Sequence, residues 1–228
     1  MARPVGNPEI LERAGVDVAL PLTALVLAGG QSTRLGRDKA LVKVDGTSMI
    51  ERVVRTVRSV CAEVLLLGGD AKELAFLGHP VLPDSALGEG PLFALRGGLE
   101  AMRHPWAFAT SCDAPFLNPR LIEYLWTLRG VHQAVVPFTA MDRQPKPLCA
   151  LYAKSCLPAI RKVLDSGERK MTAFYGGVRF LLVPEDNLRL VDPYLLSLHN
   201  VNTDEDLRLA EEIALTEDRD PHVSQSKS

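Results

Sequence analysis

Two glycines followed by two spaced cations form the segment of this sequence best suited to chemistry on a phosphate group. Gly29 and Gly30 end a short apolar run that begins at Thr23, and Arg34 and Lys39 follow them. Consecutive glycines let the backbone approach a ligand closely, and their N–H groups can point into one anion-binding concavity. From the glycines alone, an ordinary turn between a strand and a helix, with two solvated cations, is an equally good interpretation.

Asp113 is a candidate ligand for a divalent cation. A run of small and aromatic residues begins at Trp106 and leads to it, which predicts a strand with this acid at its carboxyl edge. Mg²⁺ favours one or two carboxylates together with water and phosphate oxygens, so an acid at this position can hold it next to a phosphate site. A lone aspartate after a strand is more often a helix cap, but the glycine segment elsewhere in the chain favours the metal.

Two asparagines near the end of the chain form a third candidate group. Asn200 and Asn202 alternate around Val201, so an extended backbone would place both side chains on one side. Their amides could bind phosphates or the water shell of Mg²⁺. Thr203 is placed to cap a closing helix that runs through Glu211. A simple turn would explain Asn202 alone but not the pair.

Alternating strands and helices would bring these groups together. The apolar runs at 23–27 and 63–67 predict buried parallel strands, and the spacing of apolar residues from Met49 to Val57 predicts a helix between them. Such a βαβ unit crosses over right-handedly, so both carboxyl ends face one crevice. We therefore predict an α/β fold with three layers: a Rossmann-like open, mostly parallel sheet with helices on both faces.

Weaker patterns predict the remaining elements. A short strand and a turn are expected at 42–46, with Thr47 or Ser48 capping the next helix. Further strands are predicted from Trp106 to the acid at Asp113, and at 133–137 and 178–183, with 188–191 as a candidate extension of the sheet edge. Further helices are predicted from Pro91, and at 121–128, 157–164 and 171–175.

Composition excludes several classes of protein. The 228 residues suffice for one α/β domain, and 46% hydrophobic with 24% charged residues is typical of a globular chain. A formal net charge of −2 provides no general basic field, which disfavours a nucleic acid partner. No apolar run is long enough to span a bilayer, and Glu9, Glu12 and Asp17 disfavour a signal peptide, so we expect a cytoplasmic protein without a membrane partner. The four cysteines have no zinc-site spacing, which predicts buried reduced thiols: Cys61, Cys112, Cys149 and Cys156.

The segment 27–39 resembles the signature of a known enzyme family. Its pattern L-A-G-G-x-S-x-R-L-G-x-D-K is similar, without a gap, to that of the molybdenum cofactor guanylyltransferases, a branch of the nucleotidyltransferases. Two further similarities are the D-x-x-x-x-x-G-P-L pattern at 84–92 and the C-D-x-P pattern around Asp113. The segment 200–207 resembles the family's N-[IV]-N-T-P-E-D-L, with Asp204 in the usual proline position.

The resemblance implies an activity. The expected reaction transfers GMP from GTP to the phosphate of molybdopterin, with Mg²⁺ as cofactor and pyrophosphate as the second product. The implied partners are GTP and molybdopterin or the molybdenum cofactor, with cofactor-delivery or acceptor proteins as further candidates. The implied fold is that of the nucleotide-diphospho-sugar transferases, with the nucleotidyltransferase domain at 21–215, an N-terminal extension at 1–20 and a disordered tail at 216–228.

The resemblance also implies roles for individual residues. The catalytic residues are Arg34, Lys39 and Asp113, with Asp113 as the metal ligand, and Asn200 and Asn202 lie on the acceptor side. The nucleotide-binding residues are Leu27, Ala28, Gly29, Gly30, Lys39, Asp84, Gly90, Pro91, Leu92 and Asp113.

Besides Asp204, three places in the sequence depart from the family pattern. Gly68–Gly69 stands where an asparagine is often found beside the base, and Phe93–Ala94 replaces alanine and glycine. Lys146 replaces a Glu or Gln before Pro-Leu, and it could favour a phosphate-bearing acceptor or be a solvated loop lysine. A basic group of residues also has two possible roles: it could steer an anionic substrate to the site, or it could simply be a solvated surface. Its members are Arg161, Lys162, Arg169 and Lys170.

Two alternative functions remain. A related cytidylyltransferase or sugar-1-phosphate nucleotidyltransferase would use the same type of loop, although A-G-G rather than A-A-G favours guanine. A non-catalytic nucleotide-binding or cofactor-handover protein could share the fold, but it would have no need for Asp113 as a metal ligand.

Overall fold

The computed structural model describes residues 19–29, 39–83, 90–140 and 142–217. Most of the expected N-terminal extension and of the expected tail lies outside these ranges, as do three of the predicted site residues, Gly30, Arg34 and Asp84. The last helix reaches Glu217, slightly beyond the end that we expected for the domain.

Ten strands are formed by the described residues. They are β1 (Leu20–Leu27), β2 (Lys43–Val44), β3 (Thr47–Ser48), β4 (Cys61–Leu67), β5 (Val81–Leu82), β6 (Trp106–Ser111), β7 (Ala134–Thr139), β8 (Gln144–Pro145), β9 (Cys149–Ala153) and β10 (Phe180–Pro184). Eight of these form one sheet in the order β10-β7-β9-β6-β1-β4-β5, with β8 paired to β7. The other two, β2 and β3, form a separate hairpin.

The sheet is mostly parallel, as the sequence predicts. Strand β1 pairs in parallel with β4 on one side and β6 on the other, and β5 and β10 are also added in parallel. Strand β9 runs antiparallel to both of its neighbours, β6 and β7, and β8 is antiparallel to β7. Because β1, β4 and β6 are parallel neighbours, their carboxyl ends lie side by side at one edge of the sheet.

Helices cover both faces of this sheet, which confirms the three-layer prediction. The described helices are α1 (Met49–Val60), α2 (Pro91–Ala101), α3 (Pro119–Thr127), α4 (Leu157–Asp165), the short α5 (Glu185–Leu188) and α6 (Asp204–Glu217). Helices α1 and α3 pack with Ala24 and Val26 in one apolar cluster, whereas α2 and α4 pack with Leu25 and Leu27 in another. This alternation along β1 is the period of two expected for a strand buried on both faces. None of the described helices is long and apolar enough to cross a bilayer.

Two predicted elements are wrong. Residues 171–174 form a turn that leads into a 3-10 helix at Tyr175–Gly177, and not the predicted helix. Met171 and Phe174 are nevertheless buried, so their apolar character reflects packing and not helical periodicity. Residues 188–191 do not extend the sheet edge, because Leu188 ends α5 and the chain then turns. Both Leu188 and Val191 pack into the apolar cluster of α1 and α3.

The expected cap of α1 is also only partly correct. Thr47–Ser48 forms the second strand of the hairpin, and Ser48 occupies the position that precedes the helix. Its side chain makes no capping hydrogen bond.

The four cysteines are free and buried, as predicted. Burial raises the pKa of the Cys61 thiol to about 12 and that of the Cys156 thiol to about 12. Burial also raises the pKa of Cys149. These three thiols therefore stay protonated at neutral pH. A protonated thiol is a poor nucleophile and a poor metal ligand.

Glu63 links β4 to Thr23 of β1 and to Arg103, at the edge of the sheet opposite the carboxyl ends of the parallel strands. Its carboxylate accepts hydrogen bonds from Thr23 Oγ1 at 2.7 Å, from the Arg103 backbone N–H at 2.9 Å and from Arg103 Nε at 2.6 Å. Burial alone would raise the pKa of Glu63, but the hydrogen bonds from Thr23 and Arg103 outweigh it and lower the pKa. The ionised carboxylate is therefore stabilised by folding.

This network predicts a pH-dependent contribution to stability. Since the pKa is lower in the folded state than the unfolded value of about 4.3, the contribution is present above that pH and is lost as the pH falls through the folded value. We expect Glu63→Gln to lower the free energy of unfolding by about 1–3 kcal/mol at pH 7, and this deficit to shrink below about pH 4. Urea titrations between pH 3 and pH 7 would measure it, with the exposed Glu212→Gln as the control. A deficit that does not change with pH would contradict the assignment.

Candidate active site

The glycine segment begins where β1 leaves the sheet. The backbone N–H groups of Ala28 and Gly29 both donate to the Leu67 carbonyl of β4, at 2.8 and 3.2 Å. On the other side, the N–H of Cys112 donates to the Leu27 carbonyl at 3.0 Å. The ends of β4, β1 and β6 are therefore held together, and exposed Gly29 lies between them at the edge of the sheet.

Three predicted site residues meet at this edge. The Lys39 ammonium donates to Asp113 Oδ2 and, at 2.6 Å, to Asn202 Oδ1. The side chains of Lys39 and Asp113 are only 15% and 12% exposed, so water screens this ion pair less than it would a surface pair. The carboxylate, the amide and the ammonium group thus form one cluster, although they come from distant parts of the sequence.

A third apolar cluster positions Lys39 relative to Asn202. Lys39 begins a 3-10 turn, Lys39–Leu41, that leads into the β2–β3 hairpin. Helix α6, which starts just after Asn202, packs its Ala210 and Ala214 against Val44 of that hairpin. In addition, the Asp45 backbone N–H donates to Glu211 Oε2 at 3.0 Å. The packing of α6 on the hairpin therefore brings the two segments to the same point.

Hydrogen bonds at the start of α6 fix the direction of the Asn202 amide. The backbone N–H groups of Asn202 and Thr203 both donate to Asp206 Oδ2 at 2.9 Å, and the Asp206 N–H donates back to Thr203 Oγ1 at 3.1 Å. This reciprocal pattern is a capping box and confirms Thr203 as the cap. Asn202 Nδ2 donates to the Asn200 carbonyl at 3.3 Å, which turns Oδ1 towards Lys39.

The two asparagines therefore differ in what they contribute. Asn200 supplies its backbone carbonyl to hold the Asn202 amide, and the Asn202 side chain alone of the pair reaches Lys39 among the described contacts. The backbone N–H of Val201 between them donates to the Asp113 carbonyl at 2.9 Å, which anchors this segment to the end of β6. A side-chain role for Asn200 beside Asn202 stays a prediction.

The predicted Gly90–Leu92 segment opens α2. Gly90 precedes the helix with a φ of 93°, a conformation that favours glycine, and Pro91 occupies the first turn, where no backbone donor is needed. Leu92 is buried in the same apolar cluster as Leu27 and Leu67, the last residues of β1 and β4. Leu92 therefore packs against the ends of β1 and β4. Gly90 and the start of α2 are thereby placed next to these strand ends.

The positions that depart from the family pattern have structural explanations. Gly69 has a φ of 81°, a backbone conformation that favours glycine. The guanidinium groups of Arg96 and Arg169 both lie over the Phe93 ring, at 5.1 and 4.8 Å from its centroid. The Lys146 ammonium pairs with Asp142, and both side chains are partly exposed.

Charge pairing also accounts for part of the basic group. Arg161 donates to Glu100 Oε1 at 2.8 Å, and Arg169 donates to the carbonyls of Leu164 and Glu168 at 3.1 Å. These contacts favour local structural roles for these two arginines.

Ser111 and Asp206 belong to the site but were not among the residues that the sequence predicted. Ser111 Oγ donates to Asp113 Oδ1, the carboxylate oxygen that Lys39 does not contact. The T-x-x-D spacing of Thr203 and Asp206 is a capping-box pattern that could have revealed Asp206. The Ser111 contact has no such signal, because it depends on how the chain turns after β6.

The position of the Lys39 ammonium shows that a cation fits this cluster. It lies against two oxygen atoms, Asp113 Oδ2 and Asn202 Oδ1, and oxygen ligands are the ones that Mg²⁺ prefers. In the part of the chain that the structure describes, no group of three or more His, Cys, Asp and Glu side chains could hold a metal ion. A cation at Asp113 would therefore need water or substrate phosphate for its remaining ligands, which is the usual arrangement for Mg²⁺.

Comparisons with known proteins point to one family. Residues 24–179 match the model of the MobA-like NTP transferase domain. A probable molybdenum cofactor guanylyltransferase from Pelotomaculum thermopropionicum is 36% identical over 188 residues, covering 82% of this chain and 91% of that protein. A molybdenum cofactor guanylyltransferase from Desulfosudis oleivorans is 35% identical over 194 residues, covering 83% of this chain and 94% of that protein.

Solved structures agree with this assignment. Molybdopterin-guanine dinucleotide biosynthesis protein A from Archaeoglobus fulgidus superposes with a TM-score of 0.74 and 26% identity, covering 85% of this chain and 99% of that chain. A 2-C-methyl-D-erythritol 4-phosphate cytidylyltransferase from Thermus thermophilus has a TM-score of 0.63 at 19% identity, covering 85% and 98%, and shows a shared fold only. The chain is therefore a nucleotidyltransferase that belongs to the family of the MobA-like NTP transferase domain.

Proposed function

We propose that this chain transfers GMP from GTP to the phosphate of molybdopterin, forming a guanine dinucleotide cofactor and releasing pyrophosphate. The proposal depends on one observation: the Lys39 ammonium contacts both Asp113 and Asn202 beside the end of β1. These are the residues that the family resemblance assigns to the phosphates, the metal and the acceptor. The names of the relatives, molybdenum cofactor guanylyltransferases, support GTP and molybdopterin as the substrates.

The reaction requires positioning and charge neutralisation. A phosphate nucleophile is already largely ionised at pH 7, because the second pKa of a phosphate monoester is about 6, so no strong general base is needed. Lys39 would bind an oxygen of the triphosphate and neutralise the charge that develops on the leaving pyrophosphate. We assign the same task to Arg34, and we assign phosphate binding to the backbone N–H groups of Gly29 and Gly30.

Asp113 is our proposed ligand for Mg²⁺, with Asn202 beside it. When bound, Mg²⁺ neutralises the triphosphate and stabilises the transferring phosphoryl group. Lys39 can serve both states of the site. Before the nucleotide binds, the Lys39 ammonium neutralises Asp113. When the nucleotide binds, the ammonium would donate to a phosphate oxygen instead, and Asp113 Oδ2 would become available to bind Mg²⁺.

The remaining assignments follow from the same site. We place the nucleoside near Asp84 and the start of α2 at Gly90–Pro91, with Leu27, Ala28 and Leu92 forming the apolar support beneath it. Asn202 would face the acceptor, whereas a side-chain role for Asn200 and contacts with delivery or acceptor proteins stay predictions. Four buried free thiols fit a reducing compartment such as the cytoplasm.

A panel of nucleotides would test this proposal. Thermal unfolding should be measured with GTP, CTP, ATP and UTP, each with and without Mg²⁺. We expect GTP with Mg²⁺ to raise the Tm most, since a ligand at 100 times its Kd stabilises the folded state by about 2.7 kcal/mol. Stronger protection by CTP would indicate the cytidylyltransferase alternative, and protection by GTP that is equal with and without Mg²⁺ would contradict the metal assignment.

A further inference from the structure

We propose that Ser111 is a positioning residue that holds one oxygen of Asp113 and thereby favours Mg²⁺ over Ca²⁺ at this site. The inference rests on the proposed function, because it takes Asp113 as the metal ligand. It goes beyond that function by assigning metal selectivity to a residue outside those assigned to the nucleotide and the acceptor.

The contacts of Asp113 distinguish its two oxygens. Ser111 Oγ donates to Oδ1, and the Lys39 ammonium donates to Oδ2. Ser111 is the last residue of β6 and is only 8% exposed, so its hydroxyl is fixed by the sheet and shielded from water. Oδ2 instead accepts from the Lys39 ammonium, which also donates to Asn202 Oδ1. Oδ1 is therefore engaged in a hydrogen bond within the protein, whereas Oδ2 is the oxygen that a metal ion would bind.

This asymmetry matters because the two cations use carboxylates differently. Ca²⁺ accepts six to eight oxygens in flexible geometry and often takes both oxygens of one carboxylate. Mg²⁺ requires near-ideal octahedral geometry and usually takes a single oxygen from each carboxylate. A hydrogen bond from Ser111 to Oδ1 opposes the two-oxygen mode and fixes the rotation of the carboxylate. Without the hydroxyl, Oδ1 becomes available and the carboxylate can turn.

Thr110 provides a matched control. It is the preceding residue of β6 and is fully buried, and its hydroxyl has no hydrogen-bond partner within the residues that the structure describes. Thr110→Val removes this hydroxyl with little change of shape. Ser111→Ala and Thr110→Val therefore each remove one buried hydroxyl from the same strand, but only the first removes a contact with Asp113.

The test compares the Kd of GTP in saturating Mg²⁺ with its Kd in saturating Ca²⁺, measured by calorimetry without acceptor for wild type and both variants. We expect wild type to prefer Mg²⁺, Ser111→Ala to lose about tenfold of that preference, and Thr110→Val to keep it. The Tm of each free variant shows that it is folded, and a general loss of stability would weaken binding with both cations alike. An unchanged preference in Ser111→Ala, or an equal loss in Thr110→Val, would overturn the role of Ser111 while leaving the proposed function standing. Equal binding of GTP by wild type in Mg²⁺ and in Ca²⁺ would overturn the proposed selectivity, whereas a Kd that stays the same when both cations are removed with EDTA would remove the metal assignment from the proposed function.

Discussion

Asp113→Ala is expected to lower the rate of GMP transfer by at least about 10³-fold while the chain remains folded. The variant removes the carboxylate that we assign to Mg²⁺, and with it the counter-charge of the Lys39 ammonium. The fold should persist because the Asp113 carbonyl, which accepts from the Val201 N–H, belongs to the backbone and is unaffected. Steady-state kinetics over a range of Mg²⁺ concentrations would measure the loss.

Glu100→Ala is the control for this prediction. Glu100 is also a carboxylate paired with a cation, Arg161, but it lies near the end of α2 that is distant from Gly90. We expect this variant to retain the wild-type rate, since exposed ion pairs contribute little to stability. Turnover of Asp113→Ala at the wild-type rate would remove Asp113 from the site.

Lys39→Ala is expected to lower kcat/KM for GTP by about 10²–10³-fold. The ammonium group is the one described cation in contact with both Asp113 and Asn202, and its loss leaves the developing negative charge on pyrophosphate without that partner. Lys39→Arg should restore only part of the activity, because the planar guanidinium group cannot occupy the position of a compact ammonium group.

The matched control for this variant is Lys154→Ala. The Lys154 ammonium donates to the Met102 carbonyl at 3.0 Å and to the Glu100 carbonyl at 3.4 Å, at the end of α2 away from the site. Its removal should leave kcat/KM unchanged. An equal fall in both lysine variants would show that the effect of Lys39 is a general effect of charge.

The residues at the strand ends could be predicted because their positions follow from local patterns. The apolar runs that end at Gly29 and before Asp113 identify β1 and β6, and the rule that ligands bind at the carboxyl ends of parallel strands then places both residues at one edge. Periodicity also identified the helix between β1 and β4.

The contacts between distant segments could not be predicted in the same way. Lys39 and Asn202 are 163 positions apart, and their approach depends on the packing of α6 against the β2–β3 hairpin. The bond from Ser111 to Asp113 depends on the turn after β6, for which the sequence has no distinctive signal. The predicted helix at 171–175 was wrong because buried residues in a turn can match helical spacing over so short a length.

Pyrophosphate release tests the central claim most directly: that Lys39, Asp113 and Asn202 form a magnesium-dependent guanylyl transfer site. Release should be measured for each of the four nucleotides, with and without molybdopterin and Mg²⁺. We expect release only when GTP, molybdopterin and Mg²⁺ are all present, and we expect none from Asp113→Ala. GTP binding without any release would indicate a handover protein, and release that persists in Asp113→Ala would contradict the account of the site.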